Sequence, residues 1–455
     1  MKSQRLSIMI LYVVSMFIVS MDGTIVNVIL PTIATDFNVT VAETNGVNIA
    51  YLVSIAICLP AAGYLSNRFG VKRVLLIAIT GFTLASFFCG SATSIQGLIA
   101  ARILQGLAGG LITPVSLTLL FRTFPPGERQ KLFRSLVLPI AFAPAIGPLA
   151  GGLFAEYLTW NWAFFINIPF GIAIVLLGIC FVEEFEVFDS RPFDVKGYIL
   201  VAIGLPFLMV SLSELAAEGV TWKVVCFGVM GIILLRSFYR YEYVISNPLL
   251  EMRLYEDRLF RSLSFVAMCS MGALMGMLYL FPLMYQKTYS ASALESSLIT
   301  FTEALGLMAA SRLLPITVKR FGMKVAIQGG LLGTIIVFIS IIALGPSANP
   351  WILRFLMFCI GIFLGHTVVG SQVSAFNQVN QVDMGKATTL YNMLNRVGAA
   401  AGIAIVATIL SVAAQYSDIM ILTYQMALAG TVLFLVFALF STMFVKSAQF
   451  MEKNA

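Results

Sequence analysis

The chain has 455 residues, of which 59% are hydrophobic and only 11% are charged, and its formal net charge is +7. A soluble protein of this length needs far more polar residues to cover its surface. The composition therefore excludes an ordinary soluble fold and indicates a protein embedded in a membrane.

The apolar residues fall into runs of about 20, the length at which an α-helix crosses the hydrocarbon core of a bilayer. The alternation that a transmembrane β-barrel requires is absent, so we predict an all-α polytopic membrane protein. Fourteen helices are predicted, in chain order at residues 6–31, 44–66, 73–91, 95–120, 131–155, 161–182, 195–214, 221–240, 259–286, 292–317, 323–345, 349–375, 386–414 and 420–445.

The basic residues of the loops predict the orientation of these helices. With the N-terminus inside, nearly all lysines and arginines fall on the cytoplasmic side, and only Lys223 and Lys287 fall outside. This bias places both termini in the cytoplasm and requires an even number of helices. The positive net charge is therefore a consequence of topology, and its scatter over short loops argues against a nucleic-acid partner.

The remaining polar signals of the loops and the cysteines are interpreted as structural. The acidic segment 183–189 is taken as a solvated cytoplasmic loop. All six cysteines lie inside predicted helices without metal-ligand spacing, so we expect no disulfide framework, no metal and no cofactor.

A repeated element shows that the chain is built from two related halves. Arg68-Phe69-Gly70-Val71-Lys72 returns, with one residue changed, at positions 320–324, and Arg102 returns at the same spacing as Arg354. The third predicted helix thereby pairs with the eleventh and the fourth with the twelfth. This offset predicts a 6+2+6 arrangement, with domains at 1–186, 187–258 (two inserted helices and a linker) and 259–455.

Five sequence motifs lie in or beside the predicted helices of the first half: Asp22–Pro31, Gly63–Arg73, Arg102–Gly106, Gly147–Gly152 and Trp160–Gly171. Together they resemble the major facilitator superfamily and, within it, the fourteen-helix drug:proton antiporter family. The resemblance covers the length of the chain and its helix count, and it implies the major facilitator fold with 14 transmembrane helices.

The resemblance implies a gating role for the cytoplasmic loop signature and the helix-5 motif. Their residues are Gly63, Asn67, Arg68, Gly70, Arg73, Gly147, Pro148, Gly151 and Gly152. Three departures stand out: Asn67 replaces the usual Asp, Ala143 replaces a Gly, and Asn161 stands where relatives often have Arg. An amide at position 67 can still form a hydrogen bond with a facing helix end, but it brings no charge.

Asp22 and Glu303 lie well inside predicted helices, away from the helix ends, where an unpaired charge costs at least about 3 kcal/mol. For Asp22 we expect a proton-coupling role, because burial favours the protonated carboxyl and a nearby cation favours the carboxylate. The alternative is a helix-breaking polar position near Asn27 and Pro31. Glu303 is expected to hold a proton, pair with a cationic substrate, or neutralise an arginine such as Arg396. Its alternative is a buried structural ion pair.

Arg102 is permanently charged and therefore needs a carboxylate or several carbonyl groups inside the membrane. Asp22 is the predicted partner, and the resemblance implies that this arginine serves proton coupling. The alternative is a structural hub between the first, fourth and fifth helices. Arg354 lies nearer the outer end of its helix. His366, the single histidine, suits either a proton relay or a packing role.

Four aromatic residues, with Asp22 and Glu303, are predicted to line an adaptable cavity for substrate: Tyr51, Tyr279, Phe301 and Tyr391. Apolar pockets with few polar groups are typical of small-molecule sites. The alternative for each aromatic is ordinary packing or contact with lipid.

These signals predict a proton-coupled multidrug efflux antiporter that exports lipophilic, often cationic compounds by alternating access. The alternative is a proton-coupled transporter of an endogenous metabolite, amino acid or lipid. An enzyme is not expected, because the chain lacks a nucleophile–His–acid set, a metal cluster and an ATP motif. We expect a monomer in the plasma or inner membrane whose partners are small drugs, protons and the lipid bilayer.

Overall fold

The computed structural model describes residues 2–124, 143, 146–184, 192–245, 248–289, 291–344, 349–376, 379, 384–416 and 420–445. Within these ranges the chain is almost entirely α-helical and contains no β-strand. The helices are α1 Lys2–Asp36, α2 Val41–Phe69, α3 Val71–Gly90, α4 Ile95–Thr123, α5 146–157, α6 Trp162–Phe165 with Asn167–Phe181, α7 Val195–Glu218, α8 Trp222–Val244, α9 Arg258–Tyr289, α10 Ala293–Phe321, α11 Met323–Leu344, α12 Pro350–Ala375, α13 Met384–Tyr416 and α14 Met420–Met443.

Thirteen helices of the described residues are long and apolar enough to cross a bilayer, which confirms the predicted all-α membrane class. The fifth predicted segment, 131–155, lies mostly outside the described residues, and its part from 146 onward is helical. Several helices run beyond their predicted ends. Polar end residues continue the backbone hydrogen bonding of a helix after its apolar stretch has ended.

The two halves begin and end their second helix in the same way. In α2 the hydroxyl of Thr40 accepts a hydrogen bond from the backbone of Glu43, whose carboxylate accepts one from the backbone of Thr40. Ser292 and Glu295 form the same capping box at the start of α10. Both helices are 29 residues long and end before a glycine with positive φ. The duplication therefore extends to the signals that delimit a helix.

The chain divides into two compact units, Met1–Tyr198 and Ile199–Ala455. In the first unit α4 packs against α2 and α3, and α1 contacts α4 and α6. In the second unit α12 packs against α10 and α11, while α9 packs against α13 and α14. The contacts of α4 and α12 correspond, as the repeat predicts. The proposed three-part domain division stays a prediction.

Small residues allow these helices to approach closely. A methyl group at Gly106 would collide with the backbone carbonyl of Tyr51, and one at Gly361 would collide with the carbonyl of Glu303. In the helix-5 motif, Gly147 lies against Thr24 and Gly151 lies against Ile25 of α1. Inside a bilayer, lipid tails are as apolar as the helix surfaces, so the hydrophobic effect does not drive helices together. Van der Waals contact of this kind drives their association instead.

Candidate transport site

The first unit contains a completely buried polar cluster at the centre of its helices. Asp22 on α1, Arg102 and Gln105 on α4 and Asn167 on α6 each have a relative exposure of 0%. Ser86 on α3 is equally buried and completes the cluster. Five polar side chains from four helices thus meet in an otherwise apolar interior.

Asp22 accepts hydrogen bonds on both oxygens of its carboxylate. Nη1 of Arg102 donates to Oδ2 over 2.5 Å, and this contact is also a salt bridge. Gln105 and Asn167 each donate from their side-chain amide to Oδ1 over 2.9 Å. Charge-assisted bonds of this kind are shorter and stronger than neutral ones.

The guanidinium group of Arg102 is held from three further directions. Nη1 also donates to Oε1 of Gln105 over 2.7 Å, and Nε donates to the carbonyl of Val47 over 3.3 Å. The ring of Tyr51 lies 3.9 Å from the guanidinium carbon, and its hydroxyl donates to the carbonyl of Val19. Nη2 has no hydrogen-bond partner among the described residues. Tyr51, predicted as a substrate residue, is therefore a partner of Arg102.

A buried pair of this type is costly to break. If one partner is removed, the other is left charged in a low-dielectric interior, which costs about 3–5 kcal/mol. A proton can change the pair without removing an atom, because protonation of Asp22 cancels its charge while Arg102 remains cationic. The predicted pairing of Asp22 with Arg102 is present in the structure, and its function stays a prediction.

The second unit holds an acid in a different environment. Glu303 on α10 is 3% exposed, and its Oε1 atom has no hydrogen-bond partner among the described residues. No ion pair joins it to Arg396 or Arg354 within the same set of residues. The structural ion pair considered as an alternative is therefore absent from the described part of the chain. Glu303 is a buried carboxyl group with remaining capacity for a proton or a cationic partner.

Two further candidates occupy ordinary structural positions. Arg354, the repeat counterpart of Arg102, is only half-buried, and its guanidinium lies 4.5 Å from the ring of the exposed Trp351. His366 is buried, with Nδ1 2.8 Å from the carbonyl of Ile362 and Nε2 3.1 Å from the hydroxyl of Thr317. Both ring nitrogens are thus engaged, an arrangement that suits the packing role considered for this histidine.

The other predicted substrate residues are distributed over three helices of the second unit. Tyr279 on α9 and Tyr391 on α13 are buried, and Phe301 on α10 is half-buried. The hydroxyl of Tyr391 is 3.3 Å from that of Ser371, and its ring contacts Phe376. Phe301 shares its helix with Glu303. Contact of these residues with substrate stays a prediction.

The loop signature is connected to the ends of α4 and α6. Oδ1 of Asn67 accepts a hydrogen bond from Nη2 of Arg122 over 2.9 Å, so the uncharged amide still reaches a facing helix end. The backbone amides of Lys72 and Arg73 both donate to the carboxylate of Glu184 over 3.0 Å. Glu184 therefore caps α3 while it remains exposed, a role that the interpretation of segment 183–189 as a solvated loop did not include. Sequence cannot reveal a cap that comes from a distant segment.

Gly70 is suited to this cap for two reasons. Its φ of +94° lies in the left-handed region, and a methyl group on it would overlap the carboxylate of Glu184.

The lysine of the loop signature binds a helix end in both units. Lys72 donates from Nζ to the carbonyl of Ile179 near the end of α6. In the second unit Lys324 donates to the carbonyl of Val445 after the end of α14. The repeated lysine thus binds the last helix of each bundle in the same way. Gly63 and Arg68 are exposed.

Two residues before α6 also have structural partners. The indole of Trp160 donates to Oδ2 of Asp36 over 2.8 Å, and Nδ2 of Asn161 donates to the carbonyl of Gly90 over 2.7 Å. Asn161 thereby satisfies a carbonyl group at the end of α3, a role that an arginine there can also fill.

Three members of the buried cluster were not predicted from sequence: Ser86, Gln105 and Asn167. Gln105 and Asn167 lie within motifs that indicated the family, but their polarity inside apolar helices was not used as a signal. That signal was available, because amide side chains at membrane depth require partners. Ser86 carries no such signal, since a serine can bond to its own helix, as it does to Phe82.

The architecture is that of a helical membrane transporter. The sequence profile of the Major Facilitator Superfamily matches residues 12–403. The chain belongs to this superfamily and is a transporter, not an enzyme, with multiple passes through the inner membrane.

The sequence relatives include proteins called MdtD, which are named for multidrug resistance. The one from Serratia proteamaculans (strain 568) is 28% identical over 371 residues, which cover 81% of this chain and 76% of the relative. The one from Salmonella heidelberg (strain SL476) is 27% identical over 406 residues, which cover 88% of this chain and 85% of the relative.

Solved structures show the same fold at low sequence identity. The nucleoside transporter NupG superposes with a TM-score of 0.69 at 12% identity, covering 98% of this chain and all of that one. PepTSo, a transporter of the POT family, superposes with a TM-score of 0.69 at 13% identity, covering 97% of this chain and 99% of that one. These likenesses concern the fold alone.

Proposed function

We propose that the protein is a proton-coupled antiporter that exports lipophilic, often cationic drugs. The observation that carries this proposal is the fully buried contact between Asp22 and Arg102, with two amide donors on the same carboxylate. An ionisable pair inside a membrane helix bundle is functional by default. The multidrug resistance names of the MdtD relatives support the substrate class.

Protonation of Asp22 is the step that links proton movement to conformation. The neutral carboxyl group attracts Arg102 less strongly, so that the arginine is held mainly by its carbonyl and aromatic partners. Because the pair joins α1 to α4, its loss changes the relative stability of two arrangements of these helices. A proton that binds one arrangement more tightly shifts the population toward it.

Glu303 is the proposed acid for a cationic substrate. Its buried carboxyl group has an oxygen without a partner in the described chain, so either a proton or a cation on a drug satisfies it. Binding of one excludes the other, which is the requirement for exchange. We expect neutral drugs to depend on Glu303 less than cationic drugs do.

Everted membrane vesicles containing the protein test the proposal. A proton gradient is imposed, and accumulation of a lipophilic cationic dye is followed by fluorescence. We expect Asp22→Asn to lower gradient-driven accumulation to the level of vesicles without the protein. The matched control is Asp36→Asn, since Asp36 is a hydrogen-bonded carboxylate at the end of the same helix but outside the cluster.

Two results contradict the proposal. Unchanged dye accumulation by Asp22→Asn removes the proton-coupling role of this residue. Absence of gradient-driven transport of any dye or drug by the unmodified protein removes the antiport function and favours transport of an endogenous solute.

A further inference from the structure

The second unit has a cavity at the ends of two helices, and Glu303 is not among the residues that line it. It has a volume of about 510 Å³ and lies between the start of α9 and the end of α14. Its walls include Arg258, Arg261, Ser262, Phe265, Ser441 and Phe444. By the orientation that the basic loops predict, this end faces the cytoplasmic leaflet.

Hydrogen bonds between α9 and α14 form the base of this cavity. The hydroxyl of Ser262 is 2.9 Å from the carbonyl and 2.8 Å from the hydroxyl of Ser441. Lys324 donates to the carbonyl of Val445, which also lines the cavity. The base is thus polar and is held by contacts among three helices.

Among the described residues that line the cavity, no carboxylate balances its positive charge. The guanidinium group of Arg258 has no hydrogen bond or ion pair with the described residues, and that of Arg261 donates only to the carbonyl of Tyr255 within the same set. The nearby acids have other partners, since Asp257 caps the start of α9 and Glu256 accepts a hydrogen bond from the hydroxyl of Tyr243. Two arginines therefore remain available to an anion.

A second, adjoining cavity extends this basic surface. It shares Arg261 and adds Arg240, the rings of Tyr239 and Tyr255, and Glu256, whose carboxylate accepts a hydrogen bond from Tyr243. Tyrosine and arginine at the end of a membrane helix are typical of the layer in which lipid headgroups lie.

The other wall of the first cavity is apolar and open. Phe265 on α9 is 38% exposed, and Phe444 after α14 is 66% exposed. Phe265 follows the arginines along α9 in the direction of the membrane interior, and Phe444 lies just after the cytoplasmic end of α14. The cavity thus has a cationic end for a phosphate and an apolar side for a hydrocarbon chain.

We infer that this cavity binds an anionic phospholipid, with the phosphate at Arg258 and Arg261 and an acyl chain along Phe265 and Phe444. Guanidinium groups bind phosphate oxygens through paired hydrogen bonds. Basic pockets between transmembrane helices on the cytoplasmic side recognise anionic headgroups in the same way. The bound lipid bridges the ends of α9 and α14 and stabilises the second bundle.

Native mass spectrometry of the purified full-length protein tests this inference. The protein is titrated with phosphatidylglycerol and, separately, with phosphatidylcholine of the same acyl chains. We expect preferential retention of phosphatidylglycerol, and the double variant Arg258→Gln/Arg261→Gln should bind it on the order of tenfold more weakly. The matched control is Arg253→Gln/Arg320→Gln, which removes two exposed charges that line neither cavity.

Thermal unfolding in detergent provides an independent readout. Phosphatidylglycerol is expected to raise the Tm of the unmodified protein and of the control, but not that of Arg258→Gln/Arg261→Gln. Equal retention of the two lipids, or unchanged binding by the double variant, overturns the inference. Equal stabilisation by inorganic phosphate overturns the lipid assignment, because it places a free anion at the arginines. Single Arg258→Gln provides the same comparison if the double variant does not fold.

Discussion

At the scale of single residues, the buried pair in the first unit combines a permanent charge with a removable one. Arg102 keeps its proton at any accessible pH, whereas Asp22 can take one up. Their contact is supported by Gln105 and Asn167, which fill the remaining acceptor positions of the carboxylate. The amides therefore position Asp22 as well as stabilise its charge.

A double-mutant cycle measures how strongly the pair is coupled. Asp22→Asn and Arg102→Gln are each expected to destabilise the protein by about 3–5 kcal/mol, because each leaves an unpaired buried group. The double variant should lose less than the sum of the two. The measurement is reversible unfolding in detergent, and additive losses would show that the contact contributes no coupling energy.

Asn167 provides a second test at this scale. Asn167→Leu removes one donor from the carboxylate of Asp22 and is expected to cost about 1–3 kcal/mol, together with most of the gradient-driven dye transport. Asn167→Ser keeps a donor and should retain part of both. If the leucine variant transports dye normally, Asn167 has no positioning role.

At the scale of helices and loops, the repeated loop signature binds the end of another helix in both halves, but it contacts a capping carboxylate only in the first half. Lys72 and Lys324 each bind a carbonyl group near the end of the last helix of their bundle. Gly70 and Gly322 both have positive φ. Only Gly70 lies against a carboxylate, that of Glu184, whereas a methyl group at Gly322 would meet open space.

This difference gives a prediction with its own control. Gly70→Ala and Gly322→Ala share a backbone cost of about 1–3 kcal/mol, since both positions have a positive φ that favours glycine. Gly70→Ala should lose about 1 kcal/mol more, because the methyl group displaces the Glu184 cap of α3. Thermal unfolding compares the two, and equal losses would show that the cap contributes nothing.

Removal of the Glu184 carboxylate should destabilise the protein as much as its displacement by Gly70→Ala does. Glu184→Ala leaves the amides of Lys72 and Arg73 without their carboxylate and is expected to cost about 1 kcal/mol. The effect should disappear in the Gly70→Ala background, where the cap is already displaced. A full additional loss there would separate the role of Glu184 from that of Gly70.

At the scale of the whole molecule, the two units have the same pattern of helix contacts but a different distribution of charge. The first contains a neutralised pair, and the second contains Glu303 without a counter-ion in the described residues. An exporter that exchanges protons for cationic drugs has a use for both environments. In the proposed mechanism, the paired acid Asp22 responds to protons, and the unpaired acid Glu303 accepts either a proton or a cationic drug.

The orientation of the chain is testable by cysteine labelling in a background without the native cysteines. Single cysteines at Lys223 and Lys287 are expected to react with a membrane-impermeant maleimide in intact cells. A cysteine at Lys319 should react only after permeabilisation. Labelling in the opposite sense would reverse the predicted topology and the assignment of the lipid cavity to the cytoplasmic leaflet.

The sequence by itself determined the class, the helices and the repeat. Apolar runs long enough to span a bilayer can form only helices, because lipid supplies no partners for the backbone. The capping boxes at Thr40 and Ser292 and the glycines at positions 70 and 322 mark helix ends through local geometry. Asp22, Arg102 and Glu303 were found because a charge inside an apolar helix is costly and therefore conspicuous.

Only the tertiary structure decided the partners of these groups. It joined Arg102 to Asp22 and added Ser86, Gln105 and Asn167, which come from helices far apart in the chain. It showed that Glu184 caps α3 and that Tyr51 covers Arg102. Periodicity and local preference describe what a residue needs, whereas the packing of distant helices determines which residue supplies it.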